Sequence, residues 1–142
     1  MNASLAKQLR ENAVALTSLT LVVIGLAYNT WRNEQTEFND NIRAAGFEIL
    51  VTLGELERVV FHNHYDRDEE RGSPRAGWAY VLTIRDMGQL SLEGARRESE
   101  KLFEVWQDNW EGLGTDDDAV QAISDQVDAL RAAVLAELAG LE

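Results

Sequence analysis

Asn12-Ala-Val-Ala-Leu-Thr-Ser-Leu-Thr-Leu-Val-Val-Ile-Gly-Leu-Ala-Tyr-Asn-Thr-Trp31 is a run of twenty residues without a charge, bounded by Glu11 and Arg32. As a helix at ~1.5 Å per residue it measures about 30 Å, the thickness of a bilayer's hydrocarbon core. No later stretch of the chain resembles it. Three readings compete. In the first, residues 12–31 are a retained transmembrane helix, with Tyr28 and Trp31 as amphipathic rings at the headgroup level. In the second, Lys7 and Arg10 open a cleavable signal whose small-x-small site is Gly25-Leu-Ala27. In the third, the run is a buried core helix, which apolar character on every side disfavours in so small a chain. The helical pattern continues past Trp31 without turn residues, and that favours the retained anchor. A lipoprotein is excluded, because there is no cysteine to acylate.

The flanks set an expected orientation. Lys7, Arg10 and the terminal amine oppose one acid, Glu11, on the N-terminal side. The positive-inside bias then keeps residues 1–11 in the cytoplasm and exports residues 32–142, which places the chain in a bacterial inner membrane with a periplasmic domain.

Of 13 Lys+Arg and 25 Asp+Glu, the exported part holds 11 and 24, a formal charge of −13. A nucleic-acid interface would carry the opposite sign, so nucleic acid is excluded as a partner. A patch for anionic lipid headgroups is disfavoured on the same ground. The absence of cysteine removes disulfides, zinc–thiolate sites and thiol catalysis together. Eleven arginines against two lysines suggest a GC-rich bacterial genome.

Helical periodicity dominates the exported part. Phe38, Ile42, Ala45, Ile49, Leu53, Leu56 and Val60 recur at spacings of three and four, with Phe47, Leu50 and Val59 widening the stripe. This predicts a helix over 32–70. Ser73-Pro74 marks a second start, a capping hydroxyl with the only proline at the first helical position. Trp78, Val81, Leu82 and Arg85 share a face of this helix (74–90), with Tyr80, Ile84 and Met87 beside it. Ser91 is expected to cap a third helix (92–112) carrying Leu92, Ala95, Ser99, Leu102 and Trp106, with Leu113 continuing the stripe just past its end. Thr115-Asp-Asp-Asp118 opens a fourth (116–141) with acids at the positive end of the dipole. Val120, Ile123, Val127, Leu130 and Val134 follow at helical spacing. The predicted fold is all-α: an N-terminal transmembrane helix continuing into an antiparallel up-down four-helix bundle, because short connections make consecutive helices antiparallel neighbours.

Candidate sites are few. His62, His64 and Asp66 lie in the most ligand-rich stretch, but residues two apart on a helix point about 200° apart, so the two histidines cannot chelate together there. A solvated helix end explains them more simply, and no metal or other cofactor is expected. Asp66-x-Asp68-x-Glu70 is like the start of a calcium loop, then fails where Arg71 and Gly77 replace the required glycine and glutamate. Asp116, Asp117 and Asp118 read as helix capping. Trp78 and Trp106 read as core, and Trp110 as the exposed tryptophan, a candidate partner contact. Ala13, Thr17, Thr20, Ile24 and Ala27 form a small-residue face that permits close approach of a second membrane helix. No nucleophile–base pair, phosphate loop or dinucleotide fingerprint is present.

The stretch Tyr28-Asn-Thr-Trp-Arg-Asn-Glu-Gln-Thr-Glu37, with His64-Tyr-Asp66 and Gly77-Trp78, resembles a group of uncharacterised proteobacterial proteins with one N-terminal transmembrane helix and a helical periplasmic remainder. The resemblance implies a retained anchor and transfers no catalytic residue. The expected role is association, as a homo-oligomer or with an envelope protein, rather than catalysis. The rivals are a periplasmic ligand-sensing bundle that signals through a partner and, further off, a metal protein or enzyme centred on His62, His64 and Asp66.

Overall fold

The computed structural model describes Lys7 and residues 12–141. Arg10, Glu11 and the terminal amine, on which the expected orientation partly rests, lie outside the described residues. Among the described residues there are four α-helices, one 3-10 turn and no strand. The helices are α1 (Ala13–His64), α2 (Pro74–Gly88), α3 (Glu93–Asn109) and α4 (Asp117–Gly140), with the 3-10 turn at Trp110–Gly112. The chain divides into two compact units, one ending at Phe38 and the other beginning at Asn39, and α1 contributes to both.

In the first unit, α1 is long and apolar enough to cross a membrane, and none of its apolar window is buried in the protein. One of its hydroxyls is satisfied within the helix: Thr20 Oγ1 donates to the Leu16 carbonyl at 2.9 Å.

The second unit is built around one apolar core drawn from all four helices. From α1 come Ile49, Leu53, Leu56, Val59 and Val60; from α2, Val81 and Ile84; from α3, Ala95, Leu102 and Trp106; from α4, Val120, Ile123, Val127, Leu130 and Val134. Leu113, between the 3-10 turn and α4, is equally buried. Helix α2 packs on α3, and α3 on α4.

The termini show which local forces won. Helix α1 stops at His64, short of residue 70. There the Asp68 carboxylate accepts from the backbone N–H groups of Glu70 (3.1 Å) and Arg71 (3.0 Å), offering them an alternative to helical carbonyls. Arg67 takes up the left-handed conformation (φ 53°), and Asn63 Nδ2 ties Gly72 O at 2.8 Å. Pro74 starts α2 by its fixed φ, while the Ser73 side chain makes no cap bond. Ser91 does not cap α3: its hydroxyl turns back to the Met87 carbonyl at 3.3 Å, and Leu92 occupies the N-cap position. Asp116, not Thr115, caps α4, accepting from the N–H groups of Asp118 and Ala119 at 3.0 and 3.4 Å.

Some expected core positions face outward. Phe38 and Phe47 are exposed, as are Leu82 and Leu92. The core face of α2 runs through Gly77, Val81, Ile84 and Gly88 instead. Glycine at two of these four positions lets α3 approach closely. A Cβ at Gly77 would overlap the Trp106 ring, and one at Gly88 would overlap the Ser99 side chain.

Candidate functional site

The candidate metal residues are held apart by separate partners. His62 Nδ1 lies 2.7 Å from Asp66 Oδ2, an i,i+4 pair across the end of α1. His64 turns the other way, its Nδ1 3.1 Å from the Leu113 carbonyl and its Nε2 3.3 Å from Asp117 Oδ1. Helical geometry enforces this separation, as the two rings leave opposite sides of the last turn. Among the described residues, no group of three or more His, Asp or Glu side chains is arranged to hold a metal ion. Asp68 is spent on its own turn. The N–H groups of Arg71 and Glu70 hold its carboxyl below the usual carboxylate range, with burial opposing them.

His64 and Asn63 nevertheless join the end of α1 to the turn that precedes α4. A cleft of about 520 Å³ opens here, lined by Asn63, Arg67, Glu69, Pro74, Trp110 and Leu113 among others. Its rim is charged. The Asn63 side-chain oxygen Oδ1 is buried without a hydrogen-bond partner.

Trp110 is half-buried and packs on the core rather than standing free. Its ring sits edge-to-face with Trp78 at 6.3 Å. Trp78 also meets Trp106 at 6.5 Å and Phe103 at 5.8 Å, and the Arg85 guanidinium covers the Phe103 ring at 4.3 Å. These aromatics fill the space between α2 and α3 with T-shaped contacts and a cation–π contact, and Trp106 is fully buried among them. Trp78 therefore packs on Trp106, and Arg85 joins the same cluster through Phe103.

Tyr28 and Trp31 stand on the exposed surface of α1, their rings 6.1 Å apart and tilted by 45°. Side by side at one end of the apolar run, they form an aromatic pair of the kind found at membrane–water interfaces.

Two further features lie outside the expected sites. The first is a buried carboxylate. Glu98 lies on the inner face of α3, 8% exposed, and accepts from Gln126 Nε2 (3.0 Å), Lys101 Nζ (3.0 and 3.2 Å) and Arg97 Nε (3.1 Å). The Gln126 amide and then the Lys101 ammonium hold its pKa at about 2 against the opposing effect of burial. This arrangement is structural: it ties α3 to α4 and offers no open acid or base. The second is an outward apolar stripe on α1. Phe47, Val51, Phe61 and Tyr65 are 59%, 64%, 53% and 66% exposed, on the side of the helix opposite its core face. Exposed aromatics in a row are an interaction signal, unlike single surface hydrophobes.

Comparison with protein-family models, with curated proteins and with solved structures found no match.

Proposed function

We propose that this chain is a single-pass, membrane-anchored helical-bundle protein that acts by protein–protein association in the bacterial cell envelope. The observation that carries the reading is the run Asn12–Trp31. It is uncharged, long enough to span and unburied, and it lies on the same helix that feeds the core of the packed unit. An apolar surface of that length is stable only when something apolar covers it. The positive flank at Lys7 and Arg10 and the −13 charge of residues 32–142 support a cytoplasmic N-terminus and a periplasmic domain. The resemblance to single-span proteobacterial proteins agrees with this assignment.

We propose an antiparallel up-down arrangement for residues 39–141, which the following contacts support. Arg43 Nη2 donates to the Leu141 carbonyl at 3.0 Å, Arg131 reaches Glu57, and His64 reaches Asp117, so contacts from α1 to α4 run in opposite chain directions. In the same sense, Ala95 N–H meets Glu137 Oε1 at 2.7 Å while Gln126 meets Glu98 nearer the middle of α3.

The test is a tagged full-length chain expressed in a Gram-negative host. It should stay with membranes through an alkaline carbonate wash, its C-terminal tag should become protease-sensitive only after the outer membrane is opened, and in-cell crosslinking should capture a defined partner or a second copy. A tag digested from the cytoplasmic side, or strictly monomeric protein, would overturn the reading.

The cleft beside Trp110 favours a second reading, a ligand-sensing bundle that relies on another protein for output. A small molecule that raises the melting temperature of the wild type but not of Trp110→Ala would establish it.

A further inference from the structure

The outward stripe of α1 has a repeat that the core does not explain. Phe47, Val51, Gly54, Arg58, Phe61 and Tyr65 follow one another at spacings of four and three, the seam positions of a coiled coil over almost three heptads. The stripe is about 27 Å long at the helical rise. Its large apolar members are each more than half exposed, and the space where a Gly54 side chain would lie is open. The core residues Ile49, Leu53, Leu56 and Val60 occupy the remaining positions of the same heptads, so α1 carries two apolar faces and the protein itself covers only one.

We infer that this stripe is the contact face for a second copy of the same chain, with the two α1 helices parallel and in register. The inference rests on the membrane-anchored association reading, and it names the surface and the partner.

Two observations choose that occupant. The first is charge. In a parallel pair, the residues flanking the seam meet their counterparts five positions on. Arg43 then meets Glu48 of the second copy as an opposite-charge pair, Glu57 lies beside His62, whose Nδ1 already faces Asp66, and two-fold symmetry repeats both contacts. Arg43 and Glu57 already hold Asp40 and Arg131 within the chain, so they would bridge partners already in place. Arg58 opposes the pairing, since it would face its counterpart across the seam, and Glu55 of the same chain pairs with it and tempers the repulsion. The second observation is shape. Gly54 lets the two backbones come close at mid-stripe. Phe61 and Tyr65 border a notch of about 150 Å³ with Val60, Val120, Ile123 and Val127 as its apolar wall and Glu57 and Ser124 at its polar side, which offers a seat for an aromatic side chain of the second copy. Three heptads associate weakly in free solution. Two chains held in one bilayer meet at an effective concentration set by the membrane, so a short seam suffices.

The natural absence of cysteine makes the test direct. Single-cysteine full-length variants Val51→Cys, Phe61→Cys, Leu90→Cys and Leu135→Cys are oxidised with copper phenanthroline in native membranes. The first two should give mostly disulfide-linked dimers. The controls, which are 60% and 51% exposed on α2–α3 and α4 surfaces, should give less than a tenth as much. The double variant Val51→Glu/Phe61→Glu should reduce chemically crosslinked homodimer about tenfold with helical circular dichroism unchanged, and Arg58→Leu should increase it. Linkage only between Phe47→Cys and Tyr65→Cys chains would mean an antiparallel pair and overturn the inference. If the stripe cysteines stay reduced while lysine- or carboxyl-directed reagents still capture a dimer or another protein, this surface is wrong and association stands. If nothing is captured by any route, both fall.

Discussion

The benzene ring of Trp106 lies directly over Gly77, filling the space that any side chain at position 77 would need. That contact sets how close α2 and α3 come, and it explains how the largest side chain of the core is completely buried between two short helices. Gly77→Ala gains helix propensity and loses the close approach. A rigid ring that also carries Trp78 has little freedom to retreat, so overpacking should dominate. We expect destabilisation of roughly 1–3 kcal/mol, measured by chemical denaturation of the detergent-solubilised chain. A melt equal to the wild type would show that the helices can separate without cost.

Glu98 gives the stability a pH dependence of known sign. Its pKa lies at about 2 in the folded chain, below the ordinary 4.5. A depressed carboxylate contributes stability above its unfolded value and loses it as pH falls through the folded one, so this contribution should fade between about 4.5 and about 2. With the half-exposed Lys101 and Arg97 screened by solvent, Glu98→Gln should lose on the order of 1–2 kcal/mol at neutral pH and flatten the profile in this acid window. Melting temperatures from pH 7 down to pH 2, with the variant alongside, check both parts.

Capping separates two positions that look alike in sequence. Asp116 accepts two backbone N–H groups at the start of α4, whereas the Ser73 side chain accepts none at the start of α2. Asp116→Ala should cost about 0.5–2 kcal/mol. Ser73→Ala should stay within about 0.5 kcal/mol of wild type. Equal losses in denaturant titrations would contradict the assignment.

The apolar run predicts a location effect. Val22 sits at its middle and is exposed on the helix. Val22→Arg puts a charge at the centre of the span, at an insertion cost of about 2.5–3.5 kcal/mol. The variant should shift from the membrane pellet toward the soluble or degraded fraction, while Thr30→Arg, near the interface, should remain in the pellet.

Helices, and an unburied run fit to span a bilayer, were legible in the chain because both follow from local rules: spacing near 3.6 residues, the position of Pro74, the uncharged length of Asn12–Trp31. The inner face of α4, through Val120, Ile123, Val127, Leu130 and Val134, was equally plain, since that helix has one apolar side and buries it. Helix α1 has two. Spacing cannot say which of Ile49 and Phe47 points inward, because both belong to regular stripes and only the placement of the other helices chooses between them. Glu98 was unreadable for the same reason: an acid on an apolar face is tolerable only if Gln126 and Lys101 arrive beside it, and one of these lies on another helix. The separation of His62 from His64 followed from helix geometry alone, but their actual partners, Asp66 and the Leu113 carbonyl, depended on where α1 ends and which turn meets it. Local chemistry thus determined what each segment is. The three-dimensional packing decided which of its faces is left for something else to cover, since burial belongs to the whole assembly of helices and not to any one of them.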